Sequence, residues 1–511
     1  MFLHPLTLTT LLFLSPNLPP MEFDTAVARQ HLSILASDEM RGRHTPSPEL
    51  DRSAEYLAQR LRDAGCEPVN GSYFHEYTLQ LLDLAQPTSL SIVSDAGRRT
   101  LDVKTDFVPF GRTGEGTVTN ARVVFVGYGI TAPELNFDEY AGLDVKGAVV
   151  VVIRGEPAVS DSTKPFGGKR PTRHASNDVK VENARKHGAV AMLVVDPMRS
   201  GGSPRVFGAV WPSLYPEQGH EYNPVILGDA EPSIPTLSVG EAVIRSLFGS
   251  TTALFGLRVK IDSTLTPYSK IIDGSTISCQ VTLDRQIQKV KNVMAMLPGT
   301  SNPEEFVVMG AHYDHVGVGK PVQGDSIFNG ADDNASGTTA LLLAASALSP
   351  KQARPERSML FVAFSGEERG LLGSKAFTDH PPLDLKNCVA MINLDMIGRC
   401  DNSKLSIGGH LYCPDLIKIN EEENAALQRP LKLAYDIESY FYRSDQASFA
   451  RKQIPVLFYF TGEHGDYHKV TDEISKVNLP DMVNITQLAT RVAWRAAGMP
   501  RTRFVNFQAG E

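Results

Sequence analysis

From residue 290 onward the chain alternates short apolar runs with helical segments, and most of the apolar runs end in a cluster of acids and histidines. Residues 292–297, 306–311, 359–364, 388–394 and 455–460 read as strands. Residues 338–348, 370–377, 421–427, 445–450 and 482–497 read as helices. Alternation of this kind predicts an α/β fold, a mostly parallel sheet with helices on both faces. In open sheets of that type ligands bind in the crevice beyond the carboxyl ends of the strands.

Upstream the texture differs. Ala26, Leu32 and Leu35, then Ala54, Leu57 and Leu61, recur at spacings of three and four and predict two helices, with Gly65 as a stop. Between them Asp38-Glu39-Met40-Arg41-Gly42-Arg43 has no periodicity and reads as a polar link. Residues 121–127 and 147–153 are β-branched runs typical of buried strands, followed by a short helix at 181–187 and a strand at 189–195. Residues 160–232 are rich in Gly, Pro and Ser. This stretch predicts a small β-rich module running to about residue 265.

A net charge of −8 argues against nucleic acid or an anionic membrane as the main partner. Past the N-terminus no apolar run approaches the roughly 20 residues that span a bilayer. Residues 6–14 (LTLTTLLFL) resemble the apolar core of a secretory signal, which would place the protein outside the cytoplasm, secreted or periplasmic. No Lys or Arg precedes that run, and no A-x-A site follows it. The five cysteines are scattered without a CxxC pair. Cys388 and Cys413 could pair in an oxidising compartment, but the expectation is free buried thiols.

The clusters carry the chemistry. They are His312-Tyr313-Asp314-His315, Asp332-Asp333-Asn334 ahead of a helix, Glu367-Glu368, Asp395, and Glu463-His464-Gly465-Asp466-Tyr467-His468. Each alone has an ordinary explanation: a capped loop, a solvated face, or N-capping favoured by the helix dipole. Together, at the ends of strands of one sheet, they predict a metal site. Imidazole and carboxylate without cysteine suit zinc, manganese or cobalt. Two histidines with at least three carboxylates exceed what one catalytic zinc needs and suit a metal pair. In Glu367-Glu368, one carboxylate would bind metal and the other would move a proton.

AHYDHVG, NGADDNASG, FSGEERGLLGS, NLDMIGR and DYHKVTD, in that order, resemble the signatures of the M28 zinc metallopeptidases. HLSILASDEMRGR and AEYLAQRLRDAG resemble the N-terminal helices of that family, and residues 182–197 with the strands before them resemble an inserted protease-associated (PA) domain. With the signal candidate set at 1–20, the resemblance implies the N-terminal part of a catalytic domain at 21–105, a PA-like insert at 106–266 and a di-zinc catalytic domain at 267–511. It assigns His312 and Asp395 to one zinc, Glu368 and His468 to the other, and Asp333 to both, with Mn2+ or Co2+ as substitutes. Glu367 would be the general base and then the general acid, with a zinc-bridging hydroxide as nucleophile. Asp314 would orient His312. A cis peptide between Asp333 and Asn334 is also implied. His315 and His464 are set aside as ligands, and Asp332 and Asp466 read as supporting residues. Ser444-Asp445-Gln446 departs from a pattern in which many members have His third. Tyr440 and Tyr442 are candidates to steady the tetrahedral oxyanion.

The implied activity is that of an aminopeptidase acting on peptides. Rivals within the family are a carboxypeptidase, for which Arg399, Arg443 or Arg451 would have to supply a cationic pocket, a dipeptidase, and a glutaminyl cyclase, which the full ligand set disfavours. From other classes the rivals are a receptor-like binding protein on the same scaffold and a di-metal phosphoesterase. The PA-like insert reads either as a lid over the site or as a structural insert.

Overall fold

The structure is a computed structural model that describes residues 18–94, 97–159, 161, 163–167, 171–196, 205–216, 223–230, 233–348 and 354–505. The signal-like run at 6–14 lies outside the described residues. The chain forms two compact units: one takes residues up to Tyr77 and from Lys289 onward, the other is Thr78–Gln288. Two long strands, Phe74–Ser94 and Ser269–Leu297, each contain residues of both units. The segment 106–266 marked out in the sequence lies inside the second unit.

The first unit is built on a mostly parallel sheet. Its strands lie in the order Lys432–Ala434, Lys404–Gly408, Val456–Phe460, Cys388–Leu394, Asn302–His312, Arg357–Phe364 and the last residues of Ser269–Leu297. The central pairings are parallel, with Val308 opposite both Leu360 and Met391. The final strand is antiparallel, as is the contact between Ser406–Gly408 and Phe458–Phe460. Arg357–Phe364 and Cys388–Leu394 are buried along their whole length, which is why they read as unbroken apolar runs. Helix Leu479–Ala497 packs on Gly337–Ala347, and Leu372–Asp379 packs on Gln446–Ala450. Helix Pro48–Asp63 starts as its sequence dictates: Pro48 opens it and the Ser47 hydroxyl accepts from the Leu50 N–H at 3.0 Å.

In the second unit Gly116–Val126, Val149–Ile153, Ala191–Val195 and Thr236–Val239 form a parallel run, closed by antiparallel Phe107–Pro109. Besides the expected helix, seen at Asn177–Lys186, the unit holds Glu241–Phe248 and Thr251–Thr264. The latter buries only Leu254 and Ile261, too sparse a stripe to register as a period. All five cysteines are free and buried, so Cys388 and Cys413 are not paired, and burial pushes each thiol up to about 12. No helix among the described residues is long and apolar enough to cross a membrane.

Candidate metal centre

Four parallel strands of the first unit and one helix start bring the acid and histidine clusters together. His312 ends Asn302–His312, Glu367 and Glu368 follow Arg357–Phe364, Asp395 follows Cys388–Leu394, and His468 lies beyond Val456–Phe460. Asp333 sits in the irregular turn Ala331–Ser336 that leads into Gly337–Ala347. Its backbone N–H and that of Asp332 both donate to the Asp472 carboxylate, at 3.0 Å to Oδ2. The Asp333–Asn334 peptide is cis. Helix capping falls to Asn334, whose Oδ1 accepts from the Gly337 N–H at 2.9 Å. Asp333 is thereby free to face the cluster.

The donor atoms converge. His312 Nε2 lies 3.3 Å from Asp395 Oδ1 and 3.3 Å from Asp333 Oδ1. The other Asp333 oxygen, Oδ2, lies 3.1 Å from His468 Nε2, which is 3.0 Å from Glu368 Oε2. His468 Nε2 is buried yet makes no hydrogen bond of acceptable geometry. It and its neighbours point at a shared place rather than at one another. His312 Nδ1 lies 3.1 Å from the Asp314 carbonyl, which can only accept, so Nδ1 carries the proton and the Nε2 lone pair faces the cluster. Two sets of donors, His315–Asp333–Glu368–His468 and His312–Glu367–Asp395, each gather within the span of one ion.

The electrostatics point the same way. Burial lifts the Glu367 carboxyl well above its ordinary range despite His312, and the charges of Glu368, Asp395 and Asp445 push in the same direction. Asp314 is pushed up to about 6, chiefly by burial. His312 and His468 are both shifted upward against the effect of burial, because carboxylates surround them. Buried carboxylates this crowded are stable only with cations among them. The donor set therefore fits metal ions, and Asp333, with one oxygen toward each histidine, fits a bridging role.

Several expectations shift in detail. His312 is held by the main-chain carbonyl of Asp314; the Asp314 carboxylate is 3.8 Å away and instead accepts from the Glu367 N–H at 3.2 Å and from Thr45 Oγ1 at 3.0 Å. His315, set aside in the sequence, stands inside the cluster with Nδ1 2.9 Å from Glu368 Oε1. His464 faces Asp332 Oδ2 at 3.1 Å, and Asp466 takes Arg399 at 3.0 Å. Ser444 donates to Asp395 Oδ2 at 2.6 Å, and Gln446 is occupied by Asn393 and the Phe441 carbonyl. Of the two tyrosines considered, Tyr440 lines the cleft beside the cluster, whereas Tyr442 is 47% exposed. Tyr467, not singled out in the sequence, also lines that cleft, stacked on His468 at 3.9 Å.

Residues 292–493 match the family model for peptidase family M28, and 115–247 match that for the PA domain. The unit holding the cluster is an M28 peptidase domain. Its relatives carry both exopeptidase names. A "Probable leucine aminopeptidase" of Trichophyton verrucosum is 31% identical over 40% of this chain and 57% of its own. A "Glutamate carboxypeptidase 2 homolog" of Caenorhabditis elegans is 22% identical over 72% of this chain and 50% of its own. The chain spans about half the length of these curated relatives. Among solved structures, an aminopeptidase from Aneurinibacillus sp. strain AM-1 shares the fold, with a TM-score of 0.54 at 18% identity, covering 95% of this chain and 97% of that one. The M28 domain thus has the α/β sheet anticipated from the alternation of its elements.

Proposed function

We infer that the protein is a metal-dependent exopeptidase that removes N-terminal residues from peptides, with His312, Asp333, Glu368, Asp395 and His468 holding two zinc ions and Glu367 carrying the proton. The observation that carries this reading is the double-sided placement of Asp333 between the His312–Asp395 and Glu368–His468 pairs. Bound ions would supply Lewis acidity to a water and to the substrate carbonyl. Glu367 Oε2 stands 3.9 Å from His312 Nε2, further out than Asp333 or Asp395, and lines the cleft. From there it takes a proton from the attacking water and returns it to the leaving amine. Its environment favours holding that proton between the two steps.

The cleft favours an amino terminus over a carboxyl terminus. Its lining has one cation among the described residues, Arg443, which pairs with Glu463 at 3.3 Å and stacks 4.5 Å over Tyr440. Arg399 is tied to Asp466, and Arg451 lies over Tyr442. A substrate carboxylate would find no unpaired guanidinium, whereas an α-ammonium would find carboxylates. Met396, Phe458 and Phe460 give the cleft an apolar wall, suited to an apolar N-terminal side chain.

The test is a panel of aminoacyl-p-nitroanilides beside the same compounds N-acetylated, after chelation and with zinc restored. Hydrolysis of the free-amine set alone, dependent on zinc, is the expected result. Cleavage confined to N-blocked dipeptides with a free C-terminus would replace the reading with a carboxypeptidase. Glu367→Gln should keep both ions and lower kcat about 10²- to 10⁴-fold.

A further inference from the structure

The polar link Asp38–Arg43 is exposed at Asp38, Glu39 and Arg41 but turns inward at its end, where Gly42 and Arg43 are buried. It is a tight turn whose Gly42 adopts φ +66°, and a Cβ there would fall 2.4 Å from the Gly317 carbonyl oxygen. The next residue, Arg43, is buried, and its guanidinium donates only to main-chain carbonyls: Tyr313 at 3.0 Å, Asn329 at 2.8 Å, Gly330 at 3.1 Å, and Leu35. Two of those carbonyls immediately precede the Asp332–Asp333 turn, and one belongs to the loop after His312. The segment is thus pinned against the loops that carry the donors, and two residues on it presents Thr45.

Thr45 is fully buried and has a specific task. Its hydroxyl donates to Asp314 Oδ2 at 3.0 Å and accepts from the Gly366 N–H at 3.0 Å. The other Asp314 oxygen accepts from the Glu367 N–H at 3.2 Å. Two residues earlier, the Ser365 N–H donates to Asn292 Oδ1 at 3.0 Å. Three successive N–H groups, of Ser365, Gly366 and Glu367, therefore each end on a buried side-chain oxygen, and a hydrogen bond from Thr45 to Asp314 ties two of those acceptors together. The turn itself has little room: Gly366 has φ +71°, and a Cβ there would stand 3.1 Å from the Tyr77 hydroxyl.

We propose that Thr45 is a positioning residue for Glu367, setting the height and direction of that side chain through the Asp314 and Gly366 hydrogen bonds. Thr45 touches neither the donor cluster's ligand atoms nor the cleft. Its effect passes through the backbone of the Gly366–Glu367 turn, where a displacement of about 1 Å at the proton-carrying group is enough to cost about 100-fold in rate. The proposal rests on Glu367 being the proton carrier.

The experiment compares Thr45→Val, which keeps the shape and removes the hydroxyl, with Thr45→Ser, which keeps the hydroxyl. Both are measured beside Glu367→Gln and the Thr45→Val/Glu367→Gln double variant on a free-amine aminoacyl-p-nitroanilide. Metal content and the thermal midpoint are read on each protein. The expected result is a kcat about 10- to 100-fold lower for Thr45→Val, KM within about twofold, metal content unchanged, and Thr45→Ser within about fivefold of the parent. The double variant should be no slower than Glu367→Gln alone, since a positioning residue has nothing to add once its target is gone. If Thr45→Val does not fold, Thr45→Ala is read in its place. Parent-like kcat in Thr45→Val, a Thr45→Ser variant as slow as Thr45→Val, or a further loss in the double variant would each overturn the proposal while leaving Glu367 in its role. Near-parent activity in Glu367→Gln would overturn the Glu367 reading itself, and the proposal with it.

Discussion

Both units bury charge, and Lys180 of the PA unit and the metal cluster of the M28 unit treat it in opposite ways. In the PA unit Lys180 is fully buried and gives its ammonium to the carbonyls of Tyr128, Ile153 and Gly155. Glu139, buried nearby, accepts from the N–H groups of Tyr128 and Ile130 at 2.8 and 3.0 Å. Burial pulls the lysine down and pushes the glutamate up, each acting against the other's charge. Lys180 and the Oε2 atom of Glu139 bond to main chain and clamp strand ends, while Glu139 Oε1 makes no hydrogen bond. In the M28 unit the clustered carboxylates and imidazoles point at a shared place, and His468 Nε2 satisfies no hydrogen-bond geometry. A charge answered by the backbone holds a fold, while charges left aimed at a common point hold a ligand.

The largest expected effect breaks the M28 side of this contrast. Asp333→Ala should abolish tight binding of both ions and lower kcat/KM by about 10³-fold or more, as metal analysis after gel filtration and the nitroanilide assay would read. On the PA side, Lys180→Met should leave metal content untouched. It should lower the stability of that unit by about 3 kcal/mol or more, because the carbonyls of Tyr128, Ile153 and Gly155 would lose their donor; denaturant titration checks this. His315→Ala tests whether an imidazole touching Glu368 is part of the metal centre. A metal affinity about 10- to 100-fold weaker by calorimetry, with the fold intact, is expected of a group that orients a ligand.

The smallest effect is in pH. Burial pulls the His44 imidazole down to about 3, and Arg369, 3.1 Å from its Nε2, adds to this. The unfolded chain takes up that proton near 6.5, so the contribution is complete above 6.5 and is lost progressively as pH falls toward 3. His44→Gln should flatten the fall in unfolding free energy, read by urea titration, between pH 6.5 and 5, by at most about 1.4 kcal/mol per pH unit.

The sheet and the cluster were legible for one reason: a parallel strand buried on both faces must be an apolar run, and it must end where the chain turns polar. Cys388–Leu394 follows its sequence pattern residue for residue. The supports were not legible. Thr45 has no local signal, since its partners Asp314 and Gly366 lie 269 and 321 positions away. His315 was passed over because it adjoins a stronger motif, and periodicity says nothing about which of two neighbouring imidazoles turns inward. Arg43 did not stand out from the polar link around it, because carbonyl acceptors leave no trace in side-chain chemistry.

The reach of the Thr45 hydroxyl bears on how the protein comes to life. A chain emerging from the ribosome presents Thr45 long before Gly366, and His468 later still. No earlier fragment contains all the parts of the centre, and the parallel strands that carry it close only across long intervals of sequence. The donor set is therefore complete only once residue 468 has been synthesised, and any shorter fragment holds its acids and imidazoles without the last of their partners.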